Sequence, residues 1–392
     1  MVVLETCDPP RPVSVRIARA LACPRSARVL LSNWRGLDFS QNRLRLQGPI
    51  HSVAGAGRVE TDNACEPLAM DALFFYGPDS CGLVENDQEA LQRLSAANID
   101  CSGMPLYMVL DRMMLEASRR GVLTNALGSS RSWGPKHHQE LKLRRFEAAT
   151  GRLISRPRTL IARQHEFAAV LRVFAASGHI CILKPVFGEG GCGLQIIAPG
   201  DSPQAPAGTV VVQRLIPNPL RVESHKADLR FYLLIDTNHA RASGRIGPVL
   251  LRRAAEPYLP NSLPAEITNT SYRARHGLEP DIRPLELIPG LSPGLRLWIL
   301  AQLDALADAL VDAYFWNAAR EAQLSPGSDI ANRLIVFGID AMVADAETTP
   351  CLYLLEWNPF PAFFRDSPAA DRAVEEMLAR EYLPRLIRSG TR

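Results

Sequence analysis

Four glycines, Gly188, Gly190, Gly191 and Gly193, crowd into ILKPVFGEGGCGLQII, with Glu189 among them. Without a Cβ, their backbone N–H groups can close on phosphate oxygens. Strand-like segments flank the loop, ICILKP before it and LQII after it, whereas Walker A and Rossmann loops open a helix. A plain hairpin could carry the same glycines. Lys184, just upstream on the incoming strand, turns the reading towards a flap over a triphosphate. Lysine is scarce here: only Lys136, Lys142, Lys184 and Lys226 stand against forty arginines. Arg serves wherever surface charge is enough, but its wide planar fork cannot replace a compact ammonium in a narrow site. A codon bias towards Arg explains the ratio. It does not explain why two of the lysines adjoin a glycine loop and an acidic–basic strand.

That strand is HKADLRFYLLID. A period of two puts Asp228, Arg230 and Tyr232 on one face and Leu229, Phe231, Leu233 and Ile235 on the other. Asp228 with Arg230 reads first as a structural ion pair. With Lys226 just before them, the three make a cluster suited to a phosphate or a carboxylate. Two further strands, LIVFGID and LLEWNP, end in polar residues: Asp340, and Glu356 with Asn358 on one face. A buried carboxylate is costly unless paired or bound to metal. Asp, Glu and Asn oxygens suit Mg²⁺ that keeps waters and bridges phosphates. Turn-capping acids are the alternative, weakened because both strands end this way.

The elements that must carry these residues can be read from periodicity. Residues 1–130 read as a small α/β lobe, with strands in ARVLLSNW and ALFFYGP and an amphipathic helix in PLYMVLDRMMLEASRRG; 40–70 is loop-like. GSSRSWGP is a break rich in turn formers. Residues 131–216 then give ELKLRRFEAATG, PRTLIA, a helix through Phe167, Val170, Leu171 and Phe174 ending at Gly178, and the strands around the glycine loop. Residues 217–392 form a third unit: DLRFYLLID, a Pro-rich irregular stretch over 252–293, a helix opened by Ser292-Pro293, and two buried strands. That helix places Ile299, Leu303, Leu306, Leu310 and Tyr314 at core spacing, and Asp304, Asp308 and Asp312 on a solvated face.

Bulk properties exclude several classes. Net charge is +3 with 22% charged residues, and no basic tract interleaves with aromatics, so nucleic acid is not an expected partner. Eight cysteines show no CxxC pair, which points to free thiols and a reducing compartment. No apolar run reaches membrane-spanning length, and the first residues do not read as a secretory signal, so a cytoplasmic location is expected.

Taken in order, KPVFGEGGCG, VVVQRLIPNPL, HKADLRFYLL, LLRRAAEPY…EITNTS and FGIDAMV…LLEWNP resemble the tubulin–tyrosine ligase-like branch of the ATP-grasp superfamily, over roughly residues 136–392. The resemblance implies an α+β fold in which two α/β lobes grip ATP after a small N-terminal lobe. It implies that Lys142 and Lys184 hold the α- and β-phosphates. Gln213, Arg214, Leu215 and Ile216 would form the hinge that reads adenine through backbone groups. Lys226, Asp228 and Arg230 match K-x-D-L-R and would face the nucleotide and the transferred phosphate. Arg252 would match the next arginine, with Arg253 beside it leaving the register open, and Asn269 the TN near the γ-phosphate. Asp340, Glu356 and Asn358 would hold Mg²⁺. The chain departs from the family at Glu266, where His is usual, and at Trp357 and Phe360, near where an acceptor would sit. A tubulin or tyrosine substrate is therefore not implied.

The chemistry implied is ligation: ATP converts a carboxylate to an acyl phosphate, and an amine captures it as an amide with release of ADP and phosphate. The carboxylate and amine would belong to an amino acid, a peptide or a protein tail; the oligomeric state is left open. Two alternatives remain, an ATP-grasp kinase acting on a hydroxyl and a module that binds ATP without catalysis. The complete set of metal-ligand candidates argues against the last.

Overall fold

The computed structural model describes residues 133–186, 193–324 and 333–359 continuously. It also describes 113–118, 122–124, 361, 363, 367–382, 384–385 and the strands β1–β7 of the N-terminal region. Gly188, Glu189, Gly190, Gly191 and Phe360 lie outside the described residues.

Near the N-terminus, β1 (Val2–Glu5), β2 (Val29–Asn33), β5 (Ile50–Val53), β6 (Val59–Asp62), β7 (Ala72–Phe75) and β8 (Leu123–Thr124) form one sheet in the order β6-β5-β2-β1-β7-β8. A separate pair joins β3 (Leu37–Asp38) to β4 (Arg45–Leu46). The expectation that 40–70 is loop-like is therefore corrected, because β4, β5 and β6 fall there. Strands β5 and β6 pair antiparallel from Val53↔Val59 to Ile50↔Asp62. Each is four residues long, too short for alternation to stand out beside the turn-like AGAGR between them.

A four-stranded antiparallel sheet follows, built from β9 (Thr159–Arg163), β10 (Cys181–Pro185), β11 (Gln195–Ile197) and β12 (Thr209–Arg214) in the order β11-β10-β12-β9. Before it comes α1 (Lys136–Thr150), closed by Gly151 in the left-handed conformation, and within it α2 (Phe167–Ala175). Alternation decides which side chains meet the ligand side. Cys181, Leu183, Val210 and Val212 pack with Phe167 and Phe174 in the core under α2. Their neighbours Lys184, Val211 and Gln213 face the opposite way.

The third sheet runs β16-β15-β14-β17-β18, all antiparallel: β14 (His225–Asp236), β15 (Gly244–Arg253), β16 (Ile282–Pro284), β17 (Leu334–Ala344) and β18 (Cys351–Asn358), with β13 (Arg221–Val222) paired to β14. The stretch read as irregular carries α3 (Leu263–Glu266) and α4 (Thr270–Arg275) as well as β16. Helix α5 (Pro293–Leu324) lies against one face of the sheet. Its Ile299, Leu303, Leu306, Leu310 and Tyr314 share a core with Leu229, Phe231, Leu233, Ile235, Phe337 and Trp357. Asp304, Asp308 and Asp312 are exposed, as their spacing predicts. The last helix, α6 (Pro368–Met377), packs on β15. Among the described residues no helix is long and apolar enough to cross a membrane.

Candidate active site

Two sheets and one helix meet at a cleft lined by Lys136, Gln139, Glu140 and Leu143 of α1, by Thr159, Lys184, Val211 and Gln213, and by Leu354–Glu356 of β18, with Arg156 at one side. The helix contributes positions i, i+3, i+4 and i+7, a single face. This spacing overturns one expectation. Lys142 stands six residues after Lys136 and so points to a different side of α1. Its ammonium is buried against Glu321, 5.1 Å from the Trp133 ring centre, and is not among the residues that line the cleft. Lys136, on the same helix face as Gln139 and Leu143, lines the cleft instead. It lies in the cleft with its Nζ 3.2 Å from Glu356 Oε1.

Lys184 is the central charge of this half. Among the described residues no carboxylate lies within ion-pair distance of it. Burial is the largest influence and lowers its pKa to about 8; Glu356 and Asp340 work against that shift, Lys136 and Lys226 with it. A half-buried, under-neutralised ammonium beside a second lysine is a site waiting for negative charge. Gly193 closes the loop beyond it with φ +68, where a Cβ would come 2.8 Å from Pro185 Cγ. Glycine is required there on both counts.

The hinge expectation is partly corrected. Gln213 donates its side-chain N–H to Thr159 Oγ1 at 2.9 Å. The backbone N–H groups of Arg214 and Leu215 donate to the carbonyls of Arg158 and Ile180, at 2.8 and 2.9 Å. Those two donors are spent on holding the strand and cannot read a base. Ile216 instead packs with Met342, Ala344, Tyr353 and Leu355, an apolar wall suited to a flat ring.

The second half of the site is on β14, β15 and β17, and it is a closed ion-pair network. The three-residue cluster expected at Lys226, Asp228 and Arg230 does not pair within itself. Adjacent strands supply Arg252 and Asp340, and α3 with the residues just after it supplies Glu266 and Thr268. Lys226 Nζ is 2.5 Å from Glu266 Oε2, with both side chains buried. Asp228 receives Arg252 Nε and Nη2 at 2.8 and 2.6 Å, and Thr268 Oγ1 at 2.6 Å. Arg230 clasps Asp340 through Nε and Nη2, and Arg252 Nη2 reaches the same carboxylate at 2.9 Å. The strand register makes this possible, with Asp228 opposite Arg252 and Arg230 opposite Asp340. Burial alone would raise the Asp340 pKa, but Arg230 and Arg252 hold it at about 2. The open register is also settled: Arg252 points inward, while Arg253 pairs with Asp281 and Glu223 on the outside. Asn269 follows Thr268 and opens α4, its carbonyl accepting the N–H of Tyr272 at 3.0 Å.

Strand β18 brings the remaining candidates into place. Asp340 lies opposite Glu356, and Gly338 opposite Asn358, so the three oxygen-bearing side chains share one face. Gln139 fixes the strand end with a two-way bond to Trp357, donating to its carbonyl at 2.6 Å and accepting its N–H at 3.0 Å. Trp357 itself, expected near an acceptor, points to the core face. It stacks on Trp133 with centroids 4.2 Å apart and meets Phe337 edge-on. Its immediate neighbours Glu356 and Asn358 face the site and it does not.

The residues fit a divalent ion in a limited way. Asp340, Glu356 and Asn358 converge, but Asp340 already shares its oxygens with two arginines. Among the described residues no group of three or more His, Cys, Asp or Glu side chains forms a metal cluster. Mg²⁺ held here would take few protein ligands and complete its shell from phosphates and water, which is its usual habit. Sequence reasoning missed Lys136, Arg156 and Thr268. The helical spacing from Lys136 to Leu143 was the signal for the first; nothing in the sequence pointed to Arg156, which ties its segment to Glu140 and Glu147 of α1.

Comparison with known proteins agrees with this geometry. Residues 132–273 match the tubulin-tyrosine ligase family. Among solved structures, the C-terminal domain of K. lactis Pby1, described as an ATP-grasp enzyme interacting with the mRNA decapping enzyme Dcp2, aligns with a TM-score of 0.54. That alignment covers 96% of this chain and 91% of the Pby1 domain at 14% identity. The likeness shows that the chain has the ATP-grasp fold. No curated protein matches the sequence.

Proposed function

We propose, from the match of residues 132–273 to the tubulin-tyrosine ligase family and from the ATP-grasp fold, that the protein is an ATP-dependent ligase joining a carboxylate to an amine. The observation that carries the proposal is the set of cations around the cleft and network: Lys136 on α1 and Lys184 on β10, both half-buried, and Lys226, Arg230 and Arg252, fully buried on β14 and β15. Lys136 and Lys184 would hold the non-transferred phosphates in the cleft. Arg230, Arg252 and Lys226 would receive the transferred phosphoryl group and the acceptor carboxylate.

In the first step a carboxylate oxygen bonds to the γ-phosphorus while the bond to ADP breaks, giving an acyl phosphate. In the second, an amine nitrogen attacks the acyl carbon, phosphate leaves, and the nitrogen gives up its proton. The protein aligns the reactants and offers fixed positive charge where negative charge develops. Glu356 and Asn358, with Asp340, would hold Mg²⁺, which supplies further screening of phosphate oxygens when bound. Arg252 is well placed for transfer because two carboxylates and a buried setting fix its guanidinium before any substrate arrives.

ADP release against a panel of amino acids and short peptides, offered as carboxylate and as amine, with mass spectrometry of the products, tests the proposal. An amide product that needs both partners is expected. A stable phosphorylated product formed without amine would instead identify a kinase.

A further inference from the structure

Gly338 stands two residues before Asp340 on β17, opposite Tyr232 of β14 and Asn358 of β18. It is not among the residues with positive φ, so its backbone conformation is open to any residue. Space is what excludes a side chain. A Cβ at this position would stand 2.6 Å from Arg230 Nη1, 3.2 Å from Arg230 Cζ and 3.0 Å from Pro361 Cβ. The tip of a free arginine could swing away from a methyl group. Arg230 is not free, because its Nε and Nη2 are both bonded to Asp340 and the side chain is buried. Pro361 is a poor place for relief as well, since it lies just before Phe363, which packs on Tyr232 with centroids 5.6 Å apart.

We propose that Gly338 is a positioning residue: the gap over its Cα is the berth in which the Arg230 guanidinium lies flat across β17. The gap lets one arginine from β14 reach over its neighbouring strand and grip Asp340 with two nitrogens. Asp340, so held, fixes Arg252 through its Nη2. Gly338 thus sets the aim of both arginines without touching substrate. The inference rests on the reading of Arg230 and Arg252 as the residues that receive the transferred phosphoryl group. A methyl at 338 tilts Arg230 off Asp340 and unseats the pair together, and small misplacements of transfer groups are costly in rate.

A double-mutant cycle between Gly338→Ala and Arg230→Lys tests this, read as kcat and KM for ATP, with the Arg230 Nε–H resonance in nitrogen-15-labelled protein as an independent monitor. Lysine lacks the planar head that needs the berth. Gly338→Ala is expected to lower kcat about 100-fold with KM for ATP changed by no more than about 3-fold. It should also cost the Arg230 Nε–H its slow exchange. Arg230→Lys should be harmful alone yet add little to Gly338→Ala. Losses that multiply, a change carried by KM, or an Arg230 resonance still protected in Gly338→Ala would each overturn the proposal. Should Gly338→Ala fail to fold, the combined variant should fold, and its failure too would overturn the berth. A wild type that releases no ADP with any substrate pair would sink the proposed function, while the Arg230 resonance still decides the role of Gly338.

Discussion

The cleft beside α1 and the network on β14, β15 and β17 handle charge in opposite ways. In the cleft, Lys184 has no ion-pair partner among the described residues and burial lowers its pKa to about 8. In the network, Lys226, Arg230 and Arg252 are each matched to a buried carboxylate. The first arrangement leaves positive charge to be completed by a ligand and costs stability until one arrives. The second is complete without a ligand and holds its donors in fixed directions. A site that binds a triphosphate and transfers one phosphoryl group needs both: attraction where the nucleotide rests and preorganisation where the bond is exchanged. Function and stability therefore pull apart in the cleft and together in the network.

Breaking the network should produce the largest effect. Arg252→Ala leaves Asp228 and Asp340 buried beside fewer donors, and is expected to cost about 3–5 kcal/mol in urea unfolding along with nearly all turnover. Acid tests the same network more gently. The Asp340 pKa is held at about 2 by Arg230 and Arg252, below its unfolded value. Its contribution should be intact above about pH 4 and lost as pH falls towards 2. An unfolding free energy that is flat across that window in wild type, and equal in wild type and Asp340→Asn, would contradict the pairing.

A smaller effect separates the two lysines of α1. Lys136→Arg should fold normally and lose about 10- to 100-fold in turnover, because the planar fork cannot take the place of a compact charge in the cleft. Lys142→Arg should instead lose about 1 kcal/mol or more of stability by overpacking Trp133 and Glu321, with kcat little changed. Equal losses of turnover in both would erase the distinction drawn between them. Smaller again is Gln139→Ala, which takes a partner from the buried carbonyls of Trp133 and Trp357 and from the N–H of Trp357, and should cost about 1–3 kcal/mol in thermal or urea unfolding. Retention of full stability in Gln139→Ala would mean that β18 does not depend on that clamp.

Much of this contrast was legible in the sequence, though unevenly. Strand alternation placed Asp228 and Arg230 away from the core and Leu229, Phe231 and Leu233 in it, because a period of two is a property of the backbone alone. The same rule put Glu356 and Asn358 together and should have sent Trp357 to the other face. Partners were not legible. Asp228 beside Arg230 in sequence suggested a pair, yet each bonds across to another strand, and only register reveals Arg252 and Asp340. The family resemblance implies Lys142, whereas the 3.6-residue helical period puts Lys136 on the face of Gln139 and Leu143. The hairpin of β5 and β6 was hidden because two four-residue strands leave too few alternations to count.

The most direct measurement compares thermal unfolding of wild type and Lys184→Met, with and without Mg-ATP, from pH 7 to pH 10. Burial lowers the Lys184 pKa below its unfolded value, so the folded protein bears the cost of the charge below about pH 8. That cost should fade as pH rises from about 8 towards the unfolded lysine value near 10.4. Lys184→Met without nucleotide should therefore melt above wild type at pH 7, by roughly 1 kcal/mol in stability, with the gap closing towards pH 10. Wild type should gain several degrees from Mg-ATP at pH 7, while Lys184→Met should gain almost nothing. A Lys184→Met protein that melts lower than wild type at pH 7 and is still stabilised by Mg-ATP would contradict the account at its centre.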